Sequence, residues 1–216
     1  MLHVFRNILK FVDHHTYGEL LNRLWCTAVR HFYENNARYI FRLNVSSAVD
    51  ADQSLVIKEL GVNDINKMLE VMYVSRAGLE KRFNRGDHCF AVLDGDRIIS
   101  YFWAQFGLRD ICELHLKFEL SSSWTWMYNA ITVKAARGQE LYPNLIRHMA
   151  KALSQSGIEE CFIDVDPKNI PSIRGLEKAG CKRVVEIRMR KVFSKIIYNA
   201  TVFDKNAWQE LSKVQL

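Results

Sequence analysis

The chain has 216 residues, enough for one domain with extensions, and its 49% hydrophobic and 25% charged residues are those of a globular protein, with no apolar run near the roughly 18 residues a membrane span needs. Its five cysteines (Cys26, Cys89, Cys112, Cys161 and Cys181) are odd in number, widely spaced and free of any C-x-x-C, which argues against a disulfide framework and a zinc site. The net charge of +6 comes from dispersed Lys and Arg, which favours a phosphorylated small molecule or an acidic carrier protein over nucleic acid as partner.

Residues 1–12, MLHVFRNILKFV, set Phe5, Ile8, Leu9 and Val12 on one helical face. Arg6 and Lys10 interrupt the stretch and no small-residue cleavage site follows, so no secretory signal is expected. A short helix docked on the core explains the pattern, and a weak membrane-surface contact is the other reading. Residues 16–35 carry apolar residues at helical spacing behind a Thr16 N-cap, and RYIFRLNVS (38–46) reads as a strand. The small, polar SSAVDADQS (46–54) marks a boundary between an extension, 1–53, and a core, 54–193. A strand at 55–60 precedes a helix opening near Asn63 with Ile65, Met68, Leu69, Met72 and Tyr73 as its stripe. Strands at 89–94 and 97–106 flank the hairpin signal Asp94-Gly95-Asp96. CELHLKFEL (112–120) alternates, with Glu113, His115 and Lys117 on one face of an expected strand. TWMYNAITV (125–133) is the next strand, and a helix over 141–155 puts Leu145, Ile146, Met149, Ala150 and Leu153 inward. CFIDVD (161–166), a helix over 169–179 closed by Gly180, and the basic strand 181–193 follow, leaving 194–216 as a tail packed on the core. The order predicts an α+β fold around one mixed sheet flanked by helices.

The stretch AARGQELYPNLIRHMAKAL (135–153) is less generic. A strand that runs into Arg137-Gly138 and then into a helix leaves the first helical N–H groups free, which makes an anion site suited to a pyrophosphate. Pro143 fits the first turn, where its missing N–H costs nothing. An ordinary strand-to-helix loop is the plainer reading of the same residues.

From about 54 to 193 the chain resembles the GNAT superfamily of acyl-CoA-dependent N-acyltransferases, whose R/Q-x-x-G-x-G/A motif follows the fourth core strand. Thr132, Arg137, Gly138, Leu141, Tyr142 and Pro143 match a subgroup with R-G-x-G-L-Y-P, associated with bacterial cell-surface sugar biosynthesis. Asn169, Ser172, Glu177, Lys178 and Gly180 match its second motif, with Cys181 where that motif has Phe. The resemblance implies a GNAT-type mixed sheet and acetyl-CoA or another acyl-CoA as co-substrate. Ile131 to Val133 would offer backbone groups to the pantetheine arm, and Arg137, Gly138, Gln139, Glu140, Leu141 and Tyr142 would form the phosphate loop. Asn169, with Ser172, would bind the pantetheine arm or simply cap a helix. Two departures stand out: Glu140 replaces a loop glycine, and Leu176 stands where many members place the Tyr that protonates the departing thiolate.

Acylation of an amine needs a base, because a protonated amine has no lone pair. Glu113 beside His115 is the candidate, against the alternative of an exposed polar face. Asn129 could hold a water and Tyr198 could supply an acid. His14, His15 and His31 lack ligand partners at metal-binding spacing, so no metal is expected, and no hydrolase motif is present. The expected function is transfer of an acetyl or other acyl group to a small primary amine, a nucleotide-linked amino sugar by subgroup analogy, in the cytoplasm. An N-acyl amino acid synthase fed by acyl carrier protein and a non-catalytic CoA-binding module remain open beside it.

Overall fold

The computed structural model describes residues 33–48, 51–213 and 215. The helix read at 5–12, most of that read over 16–35, and Cys26, His14, His15 and His31 lie outside these residues. Residues 33–35, assigned to that helix, instead open strand β1, Tyr33–Asn44.

After β1 come β2 (Val56–Leu60), the short helix α1 (Ile65–Leu69) and α2 (Arg76–Asn84), capped by the Ser75 hydroxyl on the Gly78 N–H. Then follow β3 (His88–Asp94), β4 (Arg97–Gln105), β5 (Leu108–Ile111), β6 (Leu116–Glu119) and β7 (Trp124–Thr132). Helix α3 (Leu141–Ser154) leads to β8 (Glu160–Val165), α4 (Ile170–Ala179), β9 (Lys182–Val192), β10 (Lys195–Val202) and α5 (Lys205–Ser212). Eight strands form one sheet in the order β10-β9-β1-β8-β7-β4-β3-β2, and β5 and β6 form a separate hairpin. The β7–β8 pair is parallel, with α3 as its crossover, while β1–β8, β2–β3, β3–β4 and β4–β7 are antiparallel. The sheet is therefore mixed and the fold α+β, as the order of elements predicts.

Contacts divide the chain into two compact units whose boundaries fall within β1, β9 and β10. One comprises Ala37–Ile187 and Ala200–Leu216. In the other, the described residues are Tyr33–Asn36 and Arg188–Asn199, where Lys191 pairs with Glu34 at 2.9 Å.

In the larger unit both sheet faces are covered, which is why its strands read as nearly continuous apolar runs. Alternation sorts the side chains. Phe90, Val92, Phe102 and Met127 pack against Leu145, Ile146 and Met149 of α3 and Ile173 and Leu176 of α4. Cys89, Ala91, Tyr101 and Trp103 pack against Ile65, Met68 and Leu79 of α1 and α2. The single strand expected over 112–120 is instead the turn and second strand of the β5–β6 hairpin, with a 3-10 turn at Cys112–Leu114. Leu114, Leu116 and Phe118 are buried in either arrangement, so the apolar pattern could not tell turn from strand. His115 closes the turn with a φ of +53°, a left-handed conformation that His adopts more readily than most residues. Helix α1 ends at Leu69, and Tyr73, read as part of its stripe, is 95% exposed.

Candidate functional site

The site begins where two parallel strands part. β7 pairs with β8 from Trp124↔Glu160 to Met127↔Ile163 and no further. The next residues of β8, Asp164 and Val165, pair only with β1. On its other side β7 keeps to β4, but the register slips between Tyr101↔Ile131 and Trp103↔Tyr128, so Asn129 and Ala130 together face Phe102. Asn129 has a φ of +55°. This is a β-bulge, which bends a strand and increases its twist, and it lies two residues beyond the last pair of β7 with β8. Ser100 fixes the end of β7: its hydroxyl donates to the Ile131 carbonyl at 3.2 Å and lies 2.9 Å from the Thr132 hydroxyl.

Beyond β7 the chain makes a 3-10 turn at Lys134–Ala136, then Arg137, Gly138 at φ +82°, and Glu140 as the left-handed N-cap of α3. No side chain caps the first turn of α3, and Pro143 has no N–H to offer. Asn144 ties the loop from behind, donating to the Glu140 carbonyl at 3.1 Å and accepting from the Asp52 N–H at 3.0 Å. In front lies a cleft of about 840 Å³. Of the residues expected to hold the donor, Ile131, Arg137, Gly138, Glu140, Leu141, Tyr142, Asn169 and Ser172 line it; Val133 and Gln139 are in the same segment but not in the lining.

Several of these residues have a second task. Arg137 donates from Nε to the Thr132 carbonyl at 3.2 Å, closing the end of β7. The Asn169 carboxamide oxygen caps α4 on the Ser172 N–H at 3.2 Å. Glu140, the departure in the loop, pairs through its carboxylate with Lys178 Nζ at 2.5 Å, and this bond holds its carboxyl below the usual range. Lys178 also lines the cleft, so the loop carboxylate arrives already neutralised. Tyr142 packs on Phe102, with centroids 5.5 Å apart, and against Gly175 of α4. A Cβ on Gly175 would stand 2.5 Å from Tyr142 Cδ1, so only glycine permits this approach. Gly175, Lys178 and Tyr73 were not anticipated as cleft residues; a glycine inside the helical run 169–179 was the available signal for the first.

The expected catalytic residues are not gathered in the cleft. Glu113 is on the 3-10 turn, not on a strand face beside His115, and its Oε1 accepts from Arg38 Nη2 at 2.8 Å. Burial pushes its carboxyl up, but backbone hydrogen bonding and the charge of Arg38 outweigh this and leave it below the usual range. Arg38 also reaches Asp164, the first β8 residue past the parting, at 3.5 Å. Asp164 accepts from Trp126 Nε1 at 2.7 Å and from Arg109 at 2.9 Å. Asn129, instead of standing free for a water, has its amide against the Arg82 guanidinium, and with the amide turned so that its oxygen faces Arg82 that oxygen accepts at 2.8 and 3.2 Å. Tyr198 is on β10, within the smaller unit and 40% exposed, with burial raising its hydroxyl pKa. Leu176, at the usual place of the acid, has 0% exposure. Arg82, Arg109 and Asp164 escaped the sequence reading because their partners come from distant segments. Among the described residues no cluster of His, Cys, Asp and Glu could hold a metal ion.

The sequence matches no protein-family model and no curated protein. Solved structures do match. An acetyltransferase of the GNAT family from Novosphingobium aromaticivorans superposes with a TM-score of 0.54 at 14% identity, over 72% of this chain and 63% of that one. A GNAT-family acetyltransferase from Colwellia psychrerythraea gives 0.54 at 9% identity over 74% and 57%. A GCN5-related N-acetyltransferase from Sphaerobacter thermophilus gives 0.54 at 11% identity over 81% and 56%. The chain has the GNAT fold. It spans less than two thirds of the length of each of these three structures. The GNAT fold accounts for the mixed sheet.

Proposed function

We propose that the protein is an N-acyltransferase that moves an acyl group, acetyl in the simplest case, from acyl-CoA to the primary amine of a small cytoplasmic acceptor. The observation that carries this reading is the cleft at the parting of β7 and β8, with the uncapped N-terminus of α3 at its side. The freed edge of β7, from Ile131 to Val133, pairs with the pantetheine arm as an added strand would. The N–H groups from Gly138 to Tyr142, Gln139 included, bind the pyrophosphate with support from the helix dipole. Arg137 and Arg174 supply positive charge around it. Asn169 spends its oxygen on its own helix but keeps its amide N–H₂ for the pantetheine arm.

The chemistry is attack of the neutral amine on the thioester carbonyl, collapse of the tetrahedral intermediate and departure of the thiolate, which takes a proton. Glu113 is ionised throughout the neutral range and exposed, so it can accept the amine proton through water, though Arg38 makes it a weak base. No hydroxyl stands at Leu176, so the thiolate takes its proton from solvent. A nucleotide-linked amino sugar is the acceptor we favour.

Calorimetry with acetyl-CoA tests the site, and thiol release with a panel of amines tests the reaction. Gly138→Val forces a branched residue into a left-handed conformation and crowds the pyrophosphate. It should weaken acetyl-CoA by about 1–3 kcal/mol, the scale of lost hydrogen bonds to a charged group. Unchanged affinity would remove this loop from the donor site. Tight donor binding with no thiol release from any amine would favour a carrier-protein donor or a binding module.

A further inference from the structure

We propose that the acceptor amine also carries an anionic group, a carboxylate or a phosphate, and that Arg82 binds it. This rests on the acyltransferase reading above. Arg82, on α2, is half-buried and stacked, its guanidinium carbon 5.0 Å from the centroid of the Trp103 ring and 5.2 Å from that of Tyr128. The Asn129 amide, turned so that its oxygen faces the guanidinium, accepts from both terminal nitrogens. That is a fixed guanidinium, held flat on aromatic faces and oriented by a neutral partner.

Its neighbours are neutralised and it is not. Arg85 is paired with Asp87, Arg109 with Asp164, and Arg38 with Glu113 and Asp164. No carboxylate among the described residues pairs with Arg82. Asp87 cannot serve, since it is held by Arg85 and by the Tyr128 hydroxyl, which donates to it at 2.5 Å. Two of the five guanidinium N–H donors suffice for Asn129, which leaves a fork of the kind that matches a carboxylate or phosphate. A half-buried positive charge without an ionic partner is costly to retain, and a ligand that supplies the missing charge offsets that cost. The position suits an acceptor. Asn129 is the bulge residue, and Ala130 and Ile131 directly after it line the donor cleft. An amine anchored by its anion at Arg82 therefore sits one hydrogen bond from the strand that is to bind the thioester arm.

The test compares amines that differ by the anion alone: glucosamine with glucosamine 6-phosphate, and butylamine with 4-aminobutanoate, each with acetyl-CoA and read by thiol release. One member of each anionic type shows whether phosphate or carboxylate is preferred. The anionic member of at least one pair should have a kcat/KM higher by about tenfold or more, mainly through KM, as befits a charge-assisted hydrogen bond. Arg82→Gln should erase that preference, and Arg82→Lys, which keeps the charge but not the fork, should retain part of it; thermal unfolding confirms that each variant is folded. Equal rates within both pairs, or a preference that survives in Arg82→Gln, would show that Arg82 is only an anchor for the two rings. If no amine is acylated, the acyltransferase reading fails by itself. Calorimetric titration of the same pairs then still decides the anion site. Binding of an anionic member that is lost in Arg82→Gln supports it; equal binding within each pair, or none, overturns it.

Discussion

At the scale of the residue, the site shows how one partner changes what a side chain can do. Glu140 looks hostile to a phosphate until Lys178 is seen beside it. Glu113 looks like a base until Arg38 is seen. If Glu113 still takes the amine proton, Glu113→Gln keeps the hydrogen bond to Arg38 and should lower acylation by about 10²-fold, the usual size of a general-base contribution; an unchanged rate would leave Glu113 as a mere partner of Arg38. The same variant has a signature in stability. The Glu113 pKa is lower folded than its ordinary 4.5, so its contribution is full above that value and is lost as pH falls through the folded value. Native stability should drop below about pH 4.5, and the drop should be shallower in Glu113→Gln, as acid unfolding followed by circular dichroism would show. Sequence spacing brought out Gly138, Glu140 and Asn169, because their roles are local to a loop or a cap. It could not bring out Arg82 or Asp164, whose meaning lies in contacts between segments far apart in the chain.

At the scale of the element, α3 was legible from its apolar stripe and α4 from the Gly180 that closes it, since a stripe of period 3.6 and a left-handed closing residue are written in the sequence itself. The β5–β6 turn was not, because His115 does the work usually left to Gly or Asn. Nor were β10 and α5: nearly all of β10 is exposed and shows no alternation to read. The approach of α3 to α4 turns on Gly175. Gly175→Ala would gain about 1 kcal/mol in helix propensity, yet its methyl would sit 2.5 Å from Tyr142 Cδ1. Overpacking of this kind costs about 1–3 kcal/mol, so the variant should be less stable in urea unfolding. A stabilised variant would show that the Tyr142 ring gives way freely.

At the scale of the molecule, the parallel β7–β8 pair was within reach of the sequence, because strand, helix and strand follow one another in order and such a unit crosses over in one sense. The neighbours of β8 on its other side were not. Tyr39 pairs with Val165 and Leu43 with Cys161, and no local pattern records a partner so far along the chain. The overall positive charge was read as a bias towards anionic ligands, and Arg137 and Arg174 concentrate that bias at the cleft. The same charge spread over the surface would not mark a site.

The bulge at Asn129 makes chain length itself a functional variable. Without this residue, Ala130 would face Phe102 alone, and the pairs Tyr101↔Ile131 and Trp103↔Tyr128 would join into an unbroken ladder. An in-frame loss of one codon would thus be almost silent in strand pairing, yet the straightened β7 would be free to run on beside β8 and fill the opening that the thioester arm requires. The deletion should leave a cooperatively folded protein by circular dichroism that no longer takes up acetyl-CoA in calorimetry; retained uptake would mean that the strands part for another reason. A chain of 215 residues could keep the architecture and lose the reaction, whereas a substitution at this position changes a side chain and leaves the extra residue in place.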